Sequence, residues 1–421
     1  MKSQLSQALE PYRVLDLTQA IGWTCGKLLA DLGADVIKIE PPGGDTERRL
    51  GPFYHDDPHP ERSLSWFAAH TNQRGITLNM ESVDGQALWL ALVCDADFVV
   101  ESCPPGFLDR HGVGFRALSQ RHPQLIWTSI TPFGHSGPYA HYRASDVVGM
   151  ALGGLMYLCG DADRPPVRLR PAQAYLQAGL QAAVATLLAH HHRVRSGEGQ
   201  FIDVSMQQAV SWTIIPTRQY WEFEGLISER GGPARAFGDQ VRRIIFPCQD
   251  GHVAVMGVMN SREWRPMVDW LASEAMAEDL TEASWAILAQ HAGPNPLTQA
   301  ALTDAELAHV YDVLSRFFLH HTKAELAEEA RRRRIILFPV HTAHDLLEHP
   351  QLVARHFFQA LEHPELGDTL CYPGAPYRLS RTPCRLRRRA PLIGEHNEAI
   401  YSGELGLSRA ELAVLMAAGA I

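Results

Sequence analysis

The sequence predicts an α/β protein: a parallel sheet covered on both faces by helices, with a second, smaller domain further along. Three observations lead there. Up to about residue 130, short β-rich runs alternate with helical spacings of about ten residues, the rhythm of βαβ units. The strand runs read as buried strands, as a sheet covered on both faces requires. Between about residues 226 and 335 the pattern changes to a hairpin followed by helices.

The elements follow in order. "YRVLDL" is a short strand, "CGKLLADLG" has helical spacing and ends in Gly33, and "ADVIKIE" is a second strand. "PPGGD" interrupts as a loop. "GITLNM" reads as strand, "SVDGQALWLALVCD" as helix, "ADFVVES" as strand, "GFLDRHGVGFRALSQRH" as one helix and "PQLIWTSIT" as strand. Ligands of such sheets bind beyond the carboxyl ends of strands, where "PPGGD", "SCPPG" and "TPFGHSGP" fall. From Ser145, "SDVVGMALGGLMYLCG" reads as a Gly-rich helix and "GDADRPPVRLRP" as a loop. "RPAQAYLQAGLQAAVATLLAH" is a long Ala- and Leu-rich helix that opens with Gln173, Tyr175 and Gln177. "QFIDVSM" is a strand, "QQAVSWTIIPTRQYWEFEG" a helix, and "IIFPCQDGHVAVMG" a hairpin turning at Asp250-Gly251. The tail passes through short strands in "LGDTLCYPGAPYRLS" to a final helix.

Composition excludes several function classes. A chain of 421 residues is long enough for two or three domains. Its net charge of −9 offers no basic field for nucleic acid or anionic membrane. No apolar run reaches spanning length, and the first residues lack a signal-peptide core. Seven cysteines with no C-x-x-C pair point to reduced thiols in a cytoplasmic protein.

Local motifs are mostly structural. "PPGGD" is neither G-x-G-x-x-G nor followed by GK[ST], so it reads as a turn. His190, His191 and His192 cannot converge on one ion, because successive helical residues point about 100° apart. They suit a helix C-terminus, and no metal site is expected. "RRRR" at 331–334 and "RLRRR" at 385–389 are solvated faces, and Cys103 an inert thiol.

Several stretches together resemble the family III CoA-transferases, which include formyl-CoA transferase, carnitine CoA-transferase and α-methylacyl-CoA racemase. "VLDLTQAIGWTCGKLLADLGADVIKIEPPGGD" resembles that family's opening βαβ unit. "GQFIDVSMQQAV" resembles its core strand-helix junction, and "EHPELGDTLCYPGAPYRLSRTPCRLRRRAPLIGEHN" its C-terminal signature. The resemblance implies a Rossmann-like large domain built from both chain ends (1–225 and 336–421). It also implies an inserted small α+β domain (226–335) and an interlocked dimer. It implies CoA thioester as substrate, with no bound cofactor, and a carboxylic acid as the second substrate. CoA would lie against Ala20, Ile21, Leu78, Ser102, Cys103, Arg110 and Arg143.

In that family an aspartate carries CoA as a thioester, four residues before a glycine on the helix after the P-P loop. Counting back from Gly179 reaches Tyr175, and no Asp or Glu stands between Asp163 and Glu198. A phenol can form only an aryl ester, so Tyr175 cannot carry CoA as a thioester. The resemblance also places Asp146 beside the active site. Glu81, Ser102, Pro104 and Gln73 depart from the family's Lys, Asn, Arg and Lys. Ser145 stands where the racemase branch has histidine, so racemisation is not expected. Three expectations follow. The chain is a CoA-transferase working without an aspartyl-CoA intermediate, or a silent subunit paired with an Asp-bearing relative. In the third, it is a lyase, isomerase or hydrolase using Tyr175 and Asp146 as acid and base. Homodimer and heterodimer both remain open.

Overall fold

The computed structural model describes residues 7–237, 240–256, 264–285 and 303–421, apart from the side chains of 235–241. Of the stretch after the hairpin, where several helices are expected, residues 257–263 and 286–302 lie outside the described residues. The chain divides into two compact units. The larger comprises the described chain up to Met156, Arg168–Ile227 and Pro350–Ile421; the smaller comprises Tyr157–Val167 and the described part of Ser228–His349.

Six parallel strands form the centre of the large unit: β1 (Arg13–Leu17), β2 (Asp35–Glu40), β3 (Arg74–Thr77), β4 (Phe98–Glu101), β5 (Ile126–Thr131) and β6 (Phe201–Ser205). They lie in the order β3-β2-β1-β4-β5-β6 and every neighbouring pair is parallel. Side-chain alternation explains the apolar runs. Val14, Val36, Phe98 and Ile126 point into one core, and Leu15, Ile37, Val99 and Trp127 into the other. Leu15 is paired with Ile37 on one side and with Val99 on the other.

The first core is closed by the long helix Gln173–Ser196, which turns Ala174, Ala178, Ala182 and Ala189 inward. These small residues let it approach the helix Trp23–Asp31, and Gly179 sits at a tight contact between the two. A Cβ there would lie 2.7 Å from the Thr24 Cβ and 3.1 Å from the Cys25 nitrogen. Gly179→Ala is therefore expected to cost about 1–3 kcal/mol, read as a lowered urea midpoint. The second core is covered by the helix Val83–Val93 and by the chain's end, through Ile400, Tyr401, Leu412 and Ile421.

Two helices expected as single pieces are each two. Residues 106–122 form Phe107–Arg110 and Phe115–Leu118, separated where Gly112 takes φ 70°. Residues 207–225 form Met206–Trp212 and Ile215–Glu224, broken ahead of Pro216, which occupies the first turn of the second helix. The Gly-rich stretch from Ser145 is also helical only over Asp146–Leu152 before a 3₁₀ turn at Leu155–Leu158.

In the small unit, Gly251–Val255 pairs antiparallel with Ile245–Cys248 and with Leu337–Pro339. Phe246 and Val253 pack there against Trp270, Phe317 and Phe318 from the helices Trp264–Ser273 and Asp304–Leu319. Thr303 and Glu306 form a capping box that starts the second of these helices. Among the described residues, no helix is long and apolar enough to cross a membrane.

Candidate active site

Strand order reverses between β1 and β4, so the loops leaving these strands part and open a crevice. A cleft of about 610 Å³ lies there, lined by Thr18, Leu78, Ser102, Cys103 and Phe107 among others. Its charged lining residues are all carboxylates: Glu40, Asp45 and Glu81. The Ser102 hydroxyl accepts the Gln19 N–H at 2.7 Å, tying the two parting loops together. Burial and the adjacent Glu101 carboxylate push the Cys103 thiol well up, which leaves it protonated and unreactive.

A second group of polar side chains surrounds Tyr175, and Asp146 is its pivot. The Asp146 side chain is only 4% exposed. One carboxylate oxygen accepts the Arg168 Nε–H at 2.9 Å, and the other accepts the Ala174 N–H at 2.8 Å. The Asp146 backbone N–H in turn faces the Tyr175 phenol oxygen. Tyr175 is half-buried and packs against the same core as Ile21. Burial first, then the Glu47 charge, raises its pKa above the ordinary 10, so the phenol is neutral at physiological pH.

Glu47 reaches this group from the loop after β2. Its carboxylate accepts the Ala20 N–H at 2.6 Å. Burial and the nearby Asp45 raise its pKa to about 7, against the Ala20 hydrogen bond and Lys38. The charged form is thus disfavoured in the fold. Stability is unaffected below the ordinary 4.5, falls as pH rises from 4.5 to about 7, and carries the full cost above that. Glu47→Gln keeps an acceptor for Ala20 and loses the charge. It is expected to stabilise the protein at pH 8.5 by about 1–3 kcal/mol and to have little effect near pH 5, measured by urea unfolding at both pH values.

Of the residues expected to contact CoA, Leu78, Ser102 and Cys103 line the cleft. Ala20 and Ile21 are not among the residues that line it: the Ala20 N–H is taken by Glu47, and Ile21 packs against the core that also borders Tyr175. Arg110 and Arg143 are exposed and do not line the cleft. Tyr175 and Asp146 do come together. Arg168 and Glu47 were not singled out from the sequence. Glu47 follows the "PPGGD" strand-end loop, and Arg168 belongs to the "GDADRPPVRLRP" loop that leads into the long helix; neither position has a local signature. Among the described residues, one cluster has metal-ligand character, Glu278, Asp279 and His309, and it is already internally paired at 2.6 Å between His309 and Asp279.

The sequence profile of CoA-transferase family III matches residues 9–397. This chain belongs to that family. It is 35% identical over 421 residues to succinyl-CoA:(R)-benzylsuccinate CoA-transferase subunit BbsE of Thauera aromatica, covering 99% of each chain. It is 31% identical to succinyl-CoA–D-citramalate CoA-transferase of Chloroflexus aurantiacus, covering 97% of each. Among solved structures, a CaiB/BaiF family protein from Brucella suis superposes with a TM-score of 0.80 at 27% identity, over 94% of this chain and 99% of that one. The α/β fold with its parallel central sheet is therefore the fold of family III CoA-transferases, whose relatives act on CoA thioesters and carboxylic acids.

Proposed function

We propose that this chain is one subunit of a CoA-transferase that moves CoA between dicarboxylic acids, and that it relies on a related, Asp-bearing subunit for the carboxylate that carries CoA. The observation that carries this is Tyr175. It occupies the position expected of the family's nucleophile, it is held neutral, and its phenol cannot form an acyl thioester. Asp146 does not replace it, since both of its carboxylate oxygens are engaged. The same engagement weakens a lyase, isomerase or hydrolase mechanism with Asp146 as base. The BbsE relative is named as a subunit, and both relatives are named for succinyl-CoA and a second dicarboxylic acid.

An interlocked dimer is part of this proposal. The helix Ile215–Glu224 has no buried residue, with Trp221 59% and Phe223 80% exposed. Large apolar side chains left exposed around a helix in this way are suited to a partner subunit. The cleft beyond β1 and β4 would take CoA with few cationic contacts, leaving backbone N–H groups or partner residues to meet its phosphates.

The test compares the purified chain alone with the chain mixed with an Asp-bearing family member, using succinyl-CoA and acceptor acids. Turnover is expected to rise about 10³-fold or more on mixing. Full turnover by the chain alone would sink the two-subunit proposal and favour direct attack by the acceptor acid.

A further inference from the structure

Arg168 is pinned but not used up. Its Nε is fixed by the buried Asp146 carboxylate at 2.9 Å, while its side chain is 43% exposed. Among the described residues, its two terminal nitrogens have no hydrogen-bond partner. On the other side of Asp146, the Tyr175 phenol oxygen faces the Asp146 backbone N–H. That leaves the phenol hydrogen free to be donated elsewhere. Asp146 therefore orients both groups: its buried carboxylate holds a guanidinium with two open N–H ends, and its backbone N–H faces a neutral O–H donor.

We propose that Arg168 and Tyr175 form a binding seat for a free carboxylate of the substrate acid, with Asp146 as the residue that positions both. The chemistry fits an anion with two oxygens. A guanidinium edge offers parallel N–H donors to a carboxylate, and a phenol adds a third donor. This deepens the proposed CoA-transferase function and rests on it for the substrate class, since a dicarboxylic acid always retains a carboxylate that is not bound to CoA.

Two other charged groups bear on the seat. Asp146 is already compensated by Arg168 and by the Ala174 N–H, so its charge is largely spent. Glu47 faces Tyr175 and would repel an incoming carboxylate when ionised. Its pKa of about 7 makes protonation inexpensive near neutrality, and an anion in the seat would favour it further. Succinate binding should accordingly be accompanied by proton uptake between pH 6.5 and 8, seen as a dependence of binding heat on buffer ionisation.

The experiment titrates succinate into the full chain, in complex with its partner subunit where the complex is obligate, and follows binding by calorimetry. Arg168→Gln and Tyr175→Phe are each expected to weaken binding about tenfold or more, with Arg168→Lys in between, because lysine keeps the charge without the fork. A purely structural role for Arg168 would instead lower thermal stability while leaving succinate affinity intact. Affinity unchanged in either Arg168→Gln or Tyr175→Phe, or no succinate binding by the wild type, overturns the seat. Binding needs no turnover, so the two proposals separate. Arg168-dependent succinate binding without transfer in any pairing keeps the seat and removes the transferase function; transfer with unaltered succinate affinity in the variants does the reverse.

Discussion

Replacing Tyr175 by aspartate is expected to give this chain a carboxylate that accepts CoA. The position is the third residue of the helix Gln173–Ser196, where an acidic side chain is favoured by the helix dipole. It is half-buried, and the Asp146 N–H that faces the phenol oxygen would face the new carboxylate. Asp146 and Glu47 would raise its pKa somewhat, yet Asp146 is paired and Glu47 titrates near neutrality. Most of the new carboxylate is therefore ionised at pH 7.5. Attack on succinyl-CoA would form a mixed anhydride and free CoA thiolate, which would return to the aspartyl carbonyl and expel succinate to give an enzyme-bound thioester. Intact-protein mass spectrometry is expected to show a hydroxylamine-sensitive CoA adduct in Tyr175→Asp and none in the wild type. Transfer by the variant alone should exceed that of the wild type alone by about 10³-fold. A folded variant without an adduct would show that Tyr175 does not stand at the nucleophile's position.

Arg48→Met is expected to destabilise the large unit by about 3–5 kcal/mol. Arg48 is fully buried and clamps Glu40 with two hydrogen bonds, at 2.6 and 2.8 Å. It also reaches Glu61 at 2.9 Å and the Pro391 carbonyl at 2.8 Å, and it lies 3.7 Å above the Trp66 ring. Removing the guanidinium leaves the Glu40 carboxylate, whose side chain is 0% exposed, without its counter-charge. Buried charge without a partner is the costly state, so adding Glu40→Gln should recover part of the loss. Urea midpoints of the single and double variants measure this; a single-variant loss below about 1 kcal/mol would mean that the site hydrates freely. Arg48 also anchors the loop that carries Glu47, so the Glu47 contact with Ala20 should loosen in the same variant.

Much of the fold was legible because its signals are local. The strands β1 to β5 are short runs set by side-chain burial on both faces of a sheet, and each lies where its apolar run is, while β6 at the edge is buried only at its end. The long helix is an Ala-rich stretch whose four-residue spacing faces a core. Where apolar spacing predicts one long helix and the chain forms two, the breaking residues stand in the sequence: Gly112 and Gly114 in one, Pro216 in the other.

The site was legible only in part. Tyr175 and Asp146 could be picked out because the family's spacing points to them, and their proximity emerges in the fold. Glu47 and Arg168 could not, because each matters through a partner distant in sequence. Glu47 meets Ala20 27 residues away, and Arg168 meets Asp146 22 residues away. Arg48 joins Pro391 across 343 residues. Nothing in the residues flanking such groups encodes whom they meet.

The sequence by itself therefore determined the α/β class, the strand-end location of the cleft, and the absence of any Asp or Glu between Asp163 and Glu198, the stretch that holds Tyr175. Periodicity and residue chemistry are properties of the chain alone. Only the tertiary structure decided that Asp146 is spoken for, that Glu47 sits on the Ala20 N–H with a pKa near 7, and that the Arg168 terminal nitrogens have no partner among the described residues. Charge state and hydrogen-bond capacity depend on what packs around a group, and packing is settled by contacts between segments far apart in the chain.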